Sequence, residues 1–176
     1  MIYTGIGARD LPEEIYREFV YIGQRLAFKG YTLRSGGAEG ADSAFEFGHM
    51  CNNNVPQPKE IFLPWKGFNN NLSPYFITKK NQDKLFSIAS EIYPFWENAK
   101  HSVRCLHARN VQQVLGEEPG VSPVTDFVVC WTNRPEEQPR GTCFALHIAK
   151  KYGVKKYNFF FPAERVEFYQ NVLNII

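Results

Sequence analysis

The sequence predicts an α/β domain of Rossmann-like type, a three-layer sandwich with a mainly parallel sheet and a helical insertion at its ligand end. Three observations predict it. Short apolar runs alternate with stretches of helical periodicity along most of the 176 residues. One run, DFVVCW at Asp126 to Trp131, is apolar enough for a strand covered on both faces. Glycines cluster just after the apolar runs, where ligands bind in open α/β sheets.

The elements follow in order. A strand over Met1 to Thr4 leads into Gly5-Ile6-Gly7-Ala8-Arg9. Pro12, Glu13 and Glu14 suit the first turn of a helix. Ile15, Phe19, Ile22, Leu26 and Ala27 carry its periodicity to Lys29, and Gly30 closes it. A second strand, Tyr31 to Arg34, stops at Ser35-Gly36-Gly37. The next helix begins near Ala41, with Ala44, Phe45 and Gly48 on one face, and Asn52, Asn53, Asn54 and Pro56 end it. Glu60 to Leu63 reads as a third strand, followed by the loop Pro64-Trp65-Lys66-Gly67. Two helical stretches, Lys80 to Ile92 and Ser102 to Leu115, then come without a strand between them. Residues 68–116 are therefore read as an insertion over the ligand end of a single domain, 1–176. After DFVVCW a polar loop reaches Gly141-Thr142 and a helix through Lys151. Lys156 to Phe161 forms a last strand and Ala163 to Leu173 a terminal helix.

Composition narrows the function classes. Lys plus Arg total 20 against 18 for Asp plus Glu, a formal charge of +2. That balance neither demands a nucleic-acid partner nor excludes one with a local basic patch. Cys51, Cys105, Cys130 and Cys143 form no CxxC pair, and the four histidines show no ligand spacing, so no metal or cofactor is expected. No secretory leader and no apolar run of roughly 20 residues is visible. The expectation is a reduced, cytoplasmic protein with no membrane partner; self-association stays open.

The strongest chemical signal is SGGAEGAD, Ser35 to Asp42. Gly36, Gly37 and Gly40 allow close backbone approach, and the helix that follows aims N–H groups at the same point, a recipe for holding phosphate. A tight turn with Asp42 as helix cap is the alternative. PRGT, Pro139 to Thr142, repeats the pattern: Gly141 permits approach, Thr142 caps or donates, and Arg140 adds charge. In GIGAR, Gly5 and Gly7 match part of a dinucleotide fingerprint that lacks its third glycine. Arg9 is placed to meet phosphate or to pair with Asp10 or Glu13. Trp65 and Trp131 follow strands at the ligand end and suit either base stacking or core cover, with Trp65 preferred for stacking. Arg109 and Asn110 lie on LHARNVQQVLG, where surface solvation is the plain account.

GIGAR, LRSGGAEGADSAFEFG and WTNRPEEQPRGTCFALHIAKKYGV together resemble a superfamily. It unites the DNA-processing protein A (DprA) Rossmann domain, the LONELY GUY-type nucleotide phosphoribohydrolases and the SLOG ligand-sensing domains. Small stand-alone DprA-like proteins of bacteria and phages are the nearest match in pattern. The resemblance implies a nucleotide or another phosphate-bearing small molecule as ligand, with Arg109 matching the family's arginine. It also brings two alternatives: an N-glycosidic hydrolase or transferase, and a binder of single-stranded DNA, for which weak binding is expected here. The hydrolases carry an acidic residue after the GT turn; this chain has Cys143, Phe144, Ala145 and Leu146 there. Asp42 and Glu39 are the weak substitutes. A binding or sensor domain is thus the favoured function.

Overall fold

DFVVCW does what its composition requires. In the computed structural model, which describes residues 1–51, 57–134, 138 and 140–175, Phe127–Trp131 is strand β4 and lies inside a parallel sheet. The other strands are β1 (Ile2–Gly7), β2 (Thr32–Ser35), β3 (Lys59–Ile61) and β5 (Lys155–Asn158), in the order β3-β2-β1-β4-β5. All four pairings are parallel. Six α-helices accompany them: α1 (Glu13–Phe28), α2 (Ala41–Met50), α3 (Gln82–Ser90), α4 (His101–Leu115), α5 (Thr142–Lys151) and α6 (Pro162–Phe168). A π-helical turn, Tyr169–Leu173, extends α6. The expected Rossmann-like sandwich is therefore present.

The two faces of the sheet separate by the alternation of strand side chains. Phe127 and Val129 of β4 join Tyr3 and Leu33 against Phe19 and Ile22 of α1, Phe45 of α2 and Phe168 of α6. Val128 and Cys130 point the other way, with Ile6, onto Val111 and Val114 of α4 and Phe144 and Ile148 of α5. Leu85 and Ala89 of α3 complete this second core.

Three expectations need correction. Gly5 and Gly7 do not follow the first strand; they lie in it, paired with Val129 and Trp131. A side chain at Gly5 would meet the Phe45 ring at 2.5 Å, so this glycine admits an aromatic ring rather than a ligand. Second, α4 is no part of an insertion. It is the crossover helix between β3 and β4 and packs on the sheet; only the stretch before it, with α3, is added to the alternation. Third, the last strand stops at Asn158, because the Asn158 side chain turns to bond the Thr132 amide and carbonyl. The expected stop of the second helix at Asn52 to Pro56 lies outside the described residues.

Helices α1 and α2 approach until backbone meets backbone. A Cβ on Gly48 would lie 2.0 Å from the Val20 carbonyl oxygen, and one on Gly23 2.7 Å from that of Phe45. On an isolated helix, Gly48→Ala would gain about 1 kcal/mol from propensity. Here the carbonyl has no room to yield, and overpacking costs about 1–3 kcal/mol or more. Thermal unfolding should therefore show Gly48→Ala melting several degrees below the parent, at about 2–4 °C per kcal/mol; an unchanged or raised midpoint would mean that the helices can separate freely.

Candidate functional site

The strand order locates a crevice. Strands β1 and β4 are neighbours, yet the chain leaves β1 toward β2 on one side and β4 toward β5 on the other. At such a reversal the connections diverge and leave a gap at the carboxyl ends. A cleft of about 1000 Å³ occupies it. Gly7, Ala8 and Arg9 come from the end of β1, and Trp131 to Arg134 from the end of β4. Arg140, Gly141 and Thr142 precede or begin α5. His107, Arg109, Asn110 and Gln113 come from α4, Tyr93 from the loop before it, and Ala38 and Asp42 from the turn into α2.

The floor of the cleft is a buried ion pair. Asp42 Oδ2 accepts from the Gly36 amide at 3.1 Å, the Ala38 amide at 3.4 Å and Arg109 Nη1 at 3.3 Å. Arg109 Nη1 also donates to the Gly36 carbonyl at 2.8 Å. Burial pushes the Asp42 carboxyl up to about 6, against the pull of Arg109 and of the Ala38, Gly36 and Gly7 amides. Burial also lowers the Arg109 pKa; Asp42 opposes that shift, and the positive charge of Arg9 adds to it. The solvated account of Arg109 and Asn110 is therefore overturned, since both are buried.

This pair changes the meaning of the glycine loop. Asp42 is not the cap of α2; Gly40 holds that position at φ 79°. The Asp42 carboxylate instead takes two loop amides that a phosphate would have used. Gly36 has no side chain because Arg109 Nη1 lies 1.7 Å from where its Cβ would be. A Cβ on Gly37 would meet Leu63 at 2.8 Å, and one on Gly40 would meet the Arg9 carbonyl oxygen at 2.4 Å. Ser35 Oγ donates to the Gly5 carbonyl at 2.7 Å. Gly5, Ser35, Gly36, Gly37 and Gly40 thus stand behind the wall of the cleft and do not line it. The exposed Glu39 is also outside it.

The turn before α5 is different. Asn110 Nδ2 donates to the Gly141 carbonyl at 3.2 Å, which fixes the turn from below. Gly141 is exposed at φ 55°, with no described atom within 4 Å of its Cβ direction, and among the described residues no side chain caps α5. Arg140 lies over the Phe95 ring at 5.5 Å. Pro139 of the expected motif lies outside the described residues. Of the two indoles, Trp131 lines the cleft, set edge-on to Phe160 at 5.9 Å. Trp65 lies in a separate cavity of about 420 Å³ with Lys79, His101 and Cys105. The reason is topological: β3 is an outer strand, two places from β1.

Tyr93, His107, Gln113 and Arg134 were not among the residues expected at the site. A signal for the α4 residues exists in the sequence. Arg109, Asn110, Gln112 and Gln113 interleave with Val111, Val114 and Leu115, leaving no polar face to meet solvent. Such a helix carries polar groups in use inside the protein. Among the described residues there is no group of three or more His, Cys, Asp or Glu that could hold a metal ion. No described helix is long and apolar enough to cross a membrane.

No protein-family model matches this chain, and no curated protein does. Among solved structures it resembles DNA processing protein A from Helicobacter pylori, in a structure concerned with that protein's single-stranded DNA binding mode. The TM-score is 0.55 at 18% identity, over 89% of this chain and 63% of the other. The fold is therefore DprA-like, and the chain spans less than two thirds of that neighbour's length.

Removing one member of the buried pair leaves the other charge without a partner, a loss of about 3–5 kcal/mol. Arg109→Met should show it in urea unfolding. The double variant Asp42→Asn/Arg109→Met, which has no charge to strand, should be more stable than Arg109→Met alone. Strict additivity in this cycle would show that the two side chains act independently.

Proposed function

We propose that the protein binds a nucleotide, or a nucleotide-derived phosphate ligand, in the cleft at the β1–β4 divide. The observation that carries this reading is the charge of the cleft wall. Arg9, Arg109, Arg134 and Arg140 face Asp42 and Asp10 among its lining residues. Arg109 and Asp42 pair with each other, so among the described residues three arginines stand against one carboxylate, beside a start of α5 that no described side chain caps. The start of a helix carries a partial positive charge and free amides, which suit an anion. Thr142 stands at that point with its hydroxyl group, and Gly141 leaves the approach open. An anion there would also relieve the repulsion between Arg9 and Arg109. Trp131 at the rim offers a ring face to a base.

Binding is favoured over turnover. The first turn of α5 has no acidic residue, and Asp42 is committed to the loop amides and Arg109. The likeness to a protein studied for binding single-stranded DNA favours a second reading, in which the anion is a strand phosphate. The two make different demands on salt. A strand contacts several phosphates, and log K then falls with log salt by about 0.7 for each.

Calorimetric titration with nucleoside monophosphates should give measurable affinity. Arg140→Gln and Arg9→Gln should each lower it about tenfold, or about 1.4 kcal/mol, with the melting temperature unchanged. Chromatography after long incubation should find no free base. An oligonucleotide should bind weakly and be lost near physiological salt; a nanomolar complex that survives there would instead establish the strand as ligand.

A further inference from the structure

We propose that His107 reads the uncharged, nucleoside part of the ligand in this cleft, an inference that rests on the nucleotide reading above. His107 lies on α4, three residues before Asn110, so the two share a helix face. Asn110 holds the turn proposed for phosphate, and the imidazole stands one turn away along the same wall. Its position is fixed by two rings. Tyr93 and Phe144, the latter in the first turn of α5, each pack against it at a centroid distance of 4.2 Å.

Filling an aromatic slot does not by itself account for a histidine. The residue is only 5% exposed, and its Nδ1 has no hydrogen-bond partner. A phenylalanine would fill the same space without leaving a polar atom unsatisfied, and such atoms are rare in native interiors. Arg109, whose Nε is likewise without a partner, is the nearby charge. Burial, and then the charge of Arg109, hold the imidazole pKa down to about 4. At neutral pH the ring is therefore uncharged, with one N–H donor and one acceptor. That pair of functions is poorly suited to phosphate, which needs donors and positive charge. A neutral ring nitrogen suits a base edge or a sugar hydroxyl, with which it donates or accepts according to its tautomer; of the two nitrogens Nδ1 is buried. The cleft thus divides its work: arginines and the α5 turn for the charge, His107 for the neutral part.

The test compares four nucleoside monophosphates with pyrophosphate, for the parent protein and for His107→Phe, which keeps the ring slot filled and removes both nitrogens. Titration followed by NMR covers weak affinities. The expected result is a loss of about tenfold or more for at least one nucleotide, with pyrophosphate affinity unchanged within about twofold. Equal losses for nucleotides and pyrophosphate, or no loss for either, would overturn the role of His107. In the parent protein, the His107 ring nitrogens should shift on adding nucleotide and stay in place on adding pyrophosphate, a readout that does not depend on the variant folding. A ring that responds equally to both would again refute the proposal. Binding of pyrophosphate and nucleotides with equal affinity by the parent would overturn the reading by His107 and leave the phosphate site standing. Binding of neither would remove the cleft reading itself.

Discussion

The contact between Asp42 and Arg109 holds the carboxyl side of the fold in place. One oxygen of Asp42 gathers two amides of the turn after β2, and Arg109 reaches from α4 to the carbonyl of the same turn. The glycine turn and the start of α2 that follows it are thereby fixed to the middle of α4, 67 residues on. Such a pair contributes little net stability compared with apolar groups of the same shape, but losing half of it is severe. Its geometry also decides what the cleft offers. Because the turn amides are already taken, the turn at Gly141 and Thr142 is the one left open toward the cleft.

The remaining polar groups of α4 extend that logic. Asn110 supports the Gly141 turn, and the Gln113 carbonyl accepts from Thr4 Oγ1 of β1 at 2.5 Å. Arg34, fully buried in β2, bonds Glu60 at 2.6 Å and the Pro123 carbonyl at 2.7 Å, and so ties β2 and β3 to the segment that enters β4. Polar groups here tie helix, strands and loops together on the side of the sheet that α4 covers. A rigid wall of this kind lowers the entropy lost on binding.

Much of the fold was legible in the sequence, and the site was legible only in part. Apolar runs and 3.6-residue periodicity marked the five strands and the six α-helices of the described residues, and DFVVCW marked the buried strand. The glycines misled because a glycine admits whatever lies nearest. At Gly5 that neighbour is the Phe45 ring, at Gly36 the Arg109 guanidinium and at Gly37 the Leu63 side chain, and no local pattern announces any of them. Arg109 and Asn110 looked solvated because their partners, Asp42 and Gly141, are 67 and 31 residues away. Trp65 was preferred over Trp131 on loop composition. Strand order decides which indole reaches the cleft, and strand order is a property of the whole chain. Gly141-Thr142 was legible as a turn and a helix start because that geometry is local.

The place of β1 also has a bearing on synthesis. It is the middle strand, and one of its two neighbours is made only after more than a hundred further residues; the Ile2 amide bonds the side chain of Asp126. While the ribosome is still short of β4, β1 can pair with β2 alone, and a row of its amides and carbonyls has no strand beside it. Long-range parallel pairing of this kind is slow to form, and open strand edges invite association with other chains. A nascent chain halted before Phe127 would carry that exposed edge together with the unfilled apolar face of α4. The interval before β4 is available, more than the folded state, is then the stage at which aggregation and chaperone capture compete with folding.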